Sequence, residues 1–384
     1  MALSSVQATV LINGTSFNSN TIDNIIIDYG RSVVWEQARA SYAKISLYNP
    51  DNADWSFDLT NTVVIKVKNA SGTDRTIFTG KINSINGRMA AIGSYRDVGL
   101  VEITAYGAFA DMARRNIGGS NWAREYDDAR MSRIFTESGV SVATVDTPGD
   151  YEFDARTGLV ANAYSLAVSY ATQAFGYIYE TTDGKVGYAN EARRTVDVLA
   201  NGYYSIPTNI IDGYSLASTR NVNDVINSVY LTYGTNSSTS ASSSGSISTY
   251  GIRAANITTE LHNAVEAAFQ ASRYIALQAT PQTNLDAFTV SLFNPNVSNA
   301  AVDVFLQMNM GKAIQISGLP YSINDGTFSG FVEGWTWTIS RKAINLSVRA
   351  TNSVLSLTPS RWQDVNAALT WAAVSPTLQW ANYN

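Results

Sequence analysis

Few residue types in this chain of 384 residues are suited to catalysis or to metal binding. The sequence contains one histidine, His262, and no cysteine. A single imidazole cannot build a His-rich metal site, and without thiols there are no disulfides, cysteine nucleophiles or cysteine-ligated zinc. A serine–histidine–aspartate triad would have to form around His262 itself. We therefore predict no metal site, and we interpret His262 as a solvated residue near the start of a helix.

Carboxylates are the remaining groups that can support hydrolysis or bind a cation. Asp150, Glu152 and Asp154 alternate along the chain, so on a strand their side chains would share one face. This spacing suits a single cation or a solvated strand edge, and we favour the strand edge. Glycoside hydrolysis needs only two carboxylates, such as Asp150 or Glu152, but a sequence does not show which carboxylates meet in space. Neither the P-loop motif G-x-x-x-x-G-K-[ST] nor the dinucleotide-binding motif G-x-G-x-x-G occurs after a predicted strand, so nucleotide binding has no support. We predict no cofactor and no enzymatic activity.

The most regular pattern lies at the carboxyl end, where three tryptophans follow one another at intervals of nine residues. They begin repeats of the form W-x2-V-x3-L, which contain Trp362, Val365, Leu369, Trp371, Val374, Leu378 and Trp380. An interval of nine matches neither the helical nor the strand period, so the repeat forms no continuous stripe on either element. Tryptophan is enriched among binding hot spots. We predict that these seven residues bind a partner surface, either on this chain or on another.

The composition indicates a protein whose surface is poor in charge. Charged residues make up 15% of the chain, against about 25% in an average globular protein. The net charge is −5 and there is no basic run, so we expect no specific nucleic-acid binding. The amino terminus does not resemble a signal peptide, and no apolar stretch reaches the ~18 residues that span a bilayer. We expect a soluble, unsecreted protein without membrane insertion.

The order of the predicted elements gives a mainly β fold with an α+β part. Two β-barrel-like domains flank a small α+β domain, and a tryptophan-repeat arm follows. The predicted boundaries are 1–117 for the first barrel, 118–202 for the α+β domain, 203–355 for the second barrel and 356–384 for the arm. The last segment is called the tryptophan arm below. Within the second barrel we predict a mobile, serine-rich loop at 235–248 and a helix at 259–276.

Local signals mark several of these elements. Asn13-Gly14 between alternating strands predicts a hairpin. Asp127 and Asp128 are placed to cap a helix that ends before Gly139, and apolar spacing from Leu159 to Phe175 predicts a second helix. On the 259–276 helix, the predicted apolar face contains Leu261, Val265, Ala268, Phe269 and Ile275.

Several segments, in order, resemble the baseplate hub proteins of bacteriophage tails, including many minor tail proteins of siphophage type. The segments are Ile27-Asp28-Tyr29-Gly30-Arg31, Ala43 to Pro50, Phe78-Thr79-Gly80-Lys81-Ile82, Val101 to Met112, Asn223 to Tyr233, Gly311 to Ile316 and Gly330 to Thr338. The tryptophan arm is similar to the tails of minor tail proteins from phages of actinobacteria. The resemblance covers most of the chain, and the order of the segments carries it.

The resemblance implies a homotrimer at the tail tip, located in the virion and assembled in the host cytoplasm. Two barrels from each of three subunits would form a ring that adapts the tail tube to the tip. Its partners would be the distal tail protein, the tape measure protein and other tail-tip proteins, and DNA would pass through the channel during ejection. Many relatives continue into a wall-degrading or fibre-like region, and this chain ends after the arm. The alternative is a receptor- or carbohydrate-binding tail protein, and a glycoside hydrolase is a third possibility.

Overall fold

The structure is a computed structural model, and it describes residues 7–50, 54–91, 98–324 and 326–357. The tryptophan arm and its seven predicted binding residues lie outside the described residues, apart from Ser356 and Leu357 at its start. No helix in the described ranges is both long and apolar enough to cross a membrane.

The first part of the chain, which was predicted to be a β-barrel-like domain, is built mainly from long strands. They are β1 Ala8–Ile12, β2 Thr15–Asn18, β3 Ile22–Gly30, β4 Tyr42–Asn49, β5 Thr62–Lys68, β6 Asp74–Ala91 and β7 Val98–Tyr106, followed by helix α1 Ala108–Met112. Asn13 and Gly14 have φ angles of 47° and 86°, the left-handed conformations that a two-residue hairpin turn requires, and Ile12 pairs with Thr15 across them. The predicted hairpin is therefore confirmed.

The middle of the chain mixes helices with short strands, as predicted. Its elements are β8 Asn116–Ile117, β9 Glu125–Tyr126, α2 Asp127–Ser138, β10 Val142–Val145, β11 Glu152–Phe153, β12 Ala161–Asn162, α3 Ala163–Gln173, β13 Tyr177–Glu180, β14 Val186–Ala189 and α4 Arg193–Asn201. Helix α2 ends at Gly139, which has a φ angle of 59°. The predicted caps are wrong, because Tyr126 occupies the cap position and Asp127 is the first helical residue. Helix α3 starts later than predicted, since Asn162 caps it.

The last described part returns to strands. Its elements are β15 Tyr204–Pro207, β16 Ala217–Thr219, β17 Ser228–Tyr233, β18 Ser237–Ser242, α5 Ser244–Tyr250, β19 Ala254–Thr258, α6 Ala264–Gln278, β20 Asn284–Ser291, α7 Asn299–Leu306, β21 Ala313–Leu319, α8 Tyr321–Asn324, β22 Gly326–Ser340 and β23 Ile344–Asn352.

The serine-rich segment 235–248 is not the mobile loop that we predicted. Strand β18 pairs with β17 along its whole length, from Ser228 opposite Ser242 to Tyr233 opposite Ser237. The Ser243 side chain then accepts a hydrogen bond from the backbone N–H of Ser246 and caps α5. Serine lowers strand propensity only modestly where its side chain faces water, so the backbone pairing with β17 determines the structure.

The helix at 259–276 is also placed differently. Helix α6 begins after its cap residue Asn263, so Leu261 precedes it. The predicted apolar face is wrong, because Val265 is 75% exposed and Phe269 is 47% exposed. The buried side includes Gln270 and Arg273. The amide nitrogen of Gln270 donates to the carbonyl oxygen of Gln173, and Arg273 donates to Glu191.

Both predicted barrel segments contribute to one curled, half-barrel sheet of thirteen strands. Strand β3 pairs antiparallel with β22, from Gly30 opposite Gly334 to Asn24 opposite Ser340. The ring of Tyr29 stacks on Trp335 at 4.9 Å beneath this seam. The chain is thus mainly β with helices, as predicted, and one core runs beneath strands from both ends. The division into domains at the predicted boundaries stays a prediction.

A close backbone approach fixes the seam between the two halves. Gly30 has a φ angle of 84°, and a Cβ atom added there would lie 2.2 Å from the carbonyl oxygen of Glu333. Only glycine accommodates both the left-handed conformation and this contact. We expect Gly30→Ala to lower the free energy of unfolding by about 2 kcal/mol or more, measured by urea denaturation. Gly14→Ala is the control, because Gly14 has a similar φ angle but open space around it. This substitution should lower the free energy of unfolding by less than Gly30→Ala does.

Candidate functional site

The groups with potential for chemistry form a polar cluster near the surface. The Nδ1 atom of His262 lies 2.6 Å from a carboxylate oxygen of Asp154, and its Nε2 atom contacts the guanidinium of Arg124. That arginine also pairs with Glu152 at 3.3 Å. Arg124 thus pairs with Glu152 and His262 binds Asp154, so two of the three carboxylates that would have to attract a cation already have partners. Within the described ranges, no three His, Asp or Glu side chains are grouped to hold a metal ion.

A cavity of about 470 Å³ lies where all three parts of the chain meet, and we call it the junction cavity. Trp35 and Gln37 from the β3–β4 connection line one side. Phe175 and Tyr177 line the side next to α3 and β13, and Tyr274 of α6 lines the third side. The wall also includes Leu355, which directly precedes the tryptophan arm, and Ser356, its first residue. The cavity therefore adjoins the point where the described chain ends.

Two arginines share one buried carboxylate at the wall of this cavity. The Nε atom of Arg31 donates to Glu333 at 2.7 Å, and both terminal nitrogens of Arg194 donate to the same carboxylate at 2.8 and 2.9 Å. The exposed fractions of the Arg31, Arg194 and Glu333 side chains are 3%, 3% and 0%. We call these three residues the arginine clamp. It joins the end of β3 to α4 and to β22.

The charges of the arginine clamp depend on each other. Burial raises the pKa of Glu333, but the two guanidinium groups outweigh this effect and hold its pKa below the ordinary value. Burial lowers the pKa of Arg31. The Tyr177 ring receives both cations, with the guanidinium carbons 5.4 Å (Arg31) and 4.8 Å (Arg194) from its centroid. The single carboxylate cannot balance both positive charges. The face of the Tyr177 ring and the hydroxyl oxygen of Ser356, which accepts a hydrogen bond from Arg194, help to stabilise the charge of Arg194.

A second buried ion pair links the α+β part to the end of the described chain. Arg273 of α6 donates to Glu191 at 2.7 Å and to the carbonyl oxygen of Leu357 at 2.6 Å. The hydroxyl of Tyr151 donates to the other oxygen of Glu191 at 2.5 Å. Burial raises the pKa of Tyr151 well above its ordinary value, so the phenol remains a donor. These contacts hold Leu357 in place at the start of the arm.

Two further buried carboxylates tie the α+β part together and to the first strands. The carboxylate of Glu180 accepts hydrogen bonds from the backbone N–H groups of Ser41 at 2.6 Å and Phe109 at 2.5 Å. Burial raises its pKa to about 7. Asp127 accepts from the backbone of Tyr151 and from the Tyr188 hydroxyl, and burial raises the pKa of Asp127 to about 6.

These groups are arranged to hold parts of the chain together. Each buried carboxylate is occupied by donors from distant segments, and the described cavity wall contains no serine–histidine or cysteine–histidine pair. The sequence interpretation missed the arginine clamp, Glu180 and Glu191. Charged residues between aromatic or apolar neighbours, as in Tyr177 to Glu180, were the available signal.

Comparison with known proteins links the fold to phage tails. No family model matches the sequence, and no curated protein matches it. Among solved structures, the 43 kDa tail protein of prophage MuSo2 from Shewanella oneidensis superposes with a TM-score of 0.62 at 8% identity, over 91% of this chain and 99% of that one. A tail protein from Neisseria meningitidis gives a TM-score of 0.63 at 10% identity, over 92% and 98%. A prophage tail protein from Listeria monocytogenes gives 0.53 at 10% identity, over 89% and 94%. The chain therefore has the fold of these phage tail proteins.

Proposed function

We propose that this chain is a structural protein of a phage tail, and more specifically the hub of the tail tip. The observation that carries the proposal is a fold shared over about nine tenths of this chain and nearly all of two tail proteins. The resembling segments Ile27–Arg31 and Ala43–Pro50 fall on or next to β3 and β4, which are neighbours in the sheet. The buried ion pairs suit a part that transmits load between subunits without unfolding.

In this proposal three copies form a ring in the virion, between the tail tube with its distal tail protein and the outermost tip. The tape measure protein and DNA pass through the channel. Light scattering on the purified chain is expected to give a particle of three 41.5 kDa subunits, and negative-stain images should show a central hole. A monomer at every concentration, together with its absence from purified tails, would overturn the hub role.

We further propose that the tryptophan arm attaches the hub to a neighbouring tail protein. Burying one indole removes about 200 Å² from water at ~25 cal/mol per Å², so three indoles buried against a neighbour would contribute several kcal/mol before ordering costs. Trp371→Ala, in the central repeat, is expected to reduce incorporation of the neighbouring protein severalfold in tail assembly, while the melting temperature stays unchanged. Tyr214→Ala, which removes a fully exposed aromatic side chain outside the arm and outside the wall of the junction cavity, is the control. Normal assembly of Trp371→Ala would remove the arm from the interface.

The proposed role is structural, without catalysis. In a zymogram the purified chain is expected to leave peptidoglycan intact, because its buried carboxylates are occupied by arginine, tyrosine and backbone donors. A clearing zone that persists after contaminating lysins have been removed from the preparation would contradict this expectation.

A further inference from the structure

The junction cavity has an aromatic interior and opens to the surface. The rings of Phe175 and Tyr274 line it and contact each other, with their centroids 4.5 Å apart. Trp35, which is 37% exposed, lines it from the β3–β4 connection. The exposed residues Asn223 and Asp224 also line it, so the cavity meets solvent there. Its volume of about 470 Å³ is in the range of sites that hold small molecules, so an aromatic group can enter it from outside.

One buried polar group in the cavity wall lacks a hydrogen-bond partner. Gln278, the last residue of α6, lines the cavity and is 5% exposed. Among the described residues nothing bonds to its side-chain amide, although its backbone carbonyl accepts from Ile226. Buried amides in folded proteins are normally paired. An indole suits this wall, because its ring is apolar and its Nε1–H donates to an amide oxygen.

The chain itself brings an indole to the cavity. Leu355 and Ser356 line the wall. Arg273 lines it as well and donates to the carbonyl oxygen of Leu357 at 2.6 Å. The first aromatic residue after this point is Trp362, five residues further on, and five residues span at most about 18 Å. A tether this short gives the indole a high effective concentration at the cavity, which a group on a separate molecule lacks.

Charge distinguishes the first tryptophan of the arm from the other two. Arg361 directly precedes Trp362, whereas the residues on either side of Trp371 and Trp380 are uncharged. At the mouth of the cavity, the exposed carboxylate of Asp224 forms no ion pair with any described residue. Complementary charges of this kind select one register of binding over another. The mouth of the cavity therefore favours the first repeat.

We propose that the junction cavity is the docking site for Trp362 of the same chain, with its Nε1–H donating to Gln278 and with Arg361 beside Asp224 at the mouth. The proposal goes beyond the hub role, and it applies to a monomer as well as to a trimer. It fixes the beginning of the tryptophan arm to the body of its own subunit. The attachment to a neighbouring tail protein then depends on the second and third repeats.

Disulfide formation tests this proximity, because the chain has no cysteine of its own. The full-length variant Asn223→Cys/Gln363→Cys places one thiol at the mouth of the cavity and the other next to Trp362. A bridge requires the two Cα atoms to come within about 7 Å. The matched control is Asn223→Cys/Ala372→Cys, in which the second thiol follows Trp371. The bridge within one chain is expected to form about tenfold or more faster in the first variant, measured by thiol labelling and mass spectrometry during oxidation.

Removing the indole shows whether it holds the arm at the cavity. Adding Trp362→Ala to Asn223→Cys/Gln363→Cys is expected to slow bridge formation by about tenfold, to the rate of the control pair. Adding Trp371→Ala instead should leave the rate unchanged. Circular dichroism of the reduced variants checks that they are folded, which is expected because Asn223 is exposed.

Three results would overturn the proposal. Equal rates for the two cysteine pairs would show that the first repeat has no preference for the cavity. A bridge that joins two chains, seen as a product of twice the mass, would assign the docked segment to a neighbouring copy. An unchanged rate after Trp362→Ala would show that the indole does not hold the arm there. None of these results depends on the number of subunits in the particle, so they are distinguishable from a failure of the hub role.

Discussion

Replacing Glu333 with alanine is expected to lower the free energy of unfolding by about 3 to 5 kcal/mol. Glu333 is the one carboxylate of the arginine clamp, and its side chain is fully buried. Its removal leaves Arg31 and Arg194 as buried cations that repel each other. The desolvation cost of both guanidiniums then remains without the carboxylate that offsets it. Because the clamp joins β3, α4 and β22, the loss should also loosen the two halves of the sheet.

The measurement is urea denaturation followed by tryptophan fluorescence, with Trp335 near the clamp as a reporter. Glu333→Gln keeps the shape of the side chain but loses its negative charge. This variant is therefore expected to be destabilised as well, because the two buried guanidiniums again lack a carboxylate. Glu102→Ala is the matched control, since Glu102 is also a strand carboxylate with an arginine partner, Arg88, 3.3 Å away at the surface. A surface pair of this kind, whose arginine is largely exposed, contributes about 1 kcal/mol or less. Equal losses for Glu333→Ala and Glu102→Ala would show that the clamp does not stabilise the fold.

Local patterns predicted the strand-rich parts of the chain, the hairpin at Asn13-Gly14 and the helix end at Gly139, because these features depend on neighbouring residues. The Asn13-Gly14 hairpin and the Gly139 helix end follow from backbone conformations that few residues adopt. Alternation along β3 and β5 follows from a sheet with one buried face. Where pairing with another strand determines the conformation of a segment, the local pattern does not predict it. Strand β18 was predicted to be a loop because its serines carry no hydrophobic alternation.

The site depends on residues that are far apart in the chain. Arg31 and Glu333 are separated by 302 positions, and Gln37 and Ile178, which are also hydrogen-bonded, by 141. Nothing in the local sequence around Arg31 indicates which carboxylate it meets. The predicted apolar face of α6 was wrong for the same reason. Arg273 points into the interior because it pairs with the buried carboxylate of Glu191, while Phe269 is partly exposed to water. Apolar periodicity predicts burial only when the interior is apolar throughout.

The stability of the protein is expected to fall as the pH rises from about 5 to 8. The folded pKa of Glu180 is about 7 and that of Asp127 about 6, while their ordinary values are 4.5 and 3.8. Since burial favours the protonated form of each carboxyl, the folded protein binds more protons than the unfolded chain between those values. Stability therefore decreases with pH in this window, by roughly 2 to 3 kcal/mol for Glu180 alone. Below about pH 4 the trend reverses, because Glu333 and Asp303, whose pKa values are lowered, become protonated.

Glu180→Gln separates this effect from the general charge of the protein. Its amide cannot ionise, so the difference in unfolding free energy between pH 5 and pH 8 should shrink by roughly 2 kcal/mol. The variant keeps one carbonyl oxygen for the two backbone donors of Ser41 and Phe109, so its stability at pH 5 should be lower than that of the wild type. Asp23→Asn, at an exposed carboxylate on β3, should leave the pH profile unchanged. If Glu180→Gln and the wild type have parallel profiles, Glu180 is already ionised throughout this range, and the two backbone donors outweigh the cost of its burial.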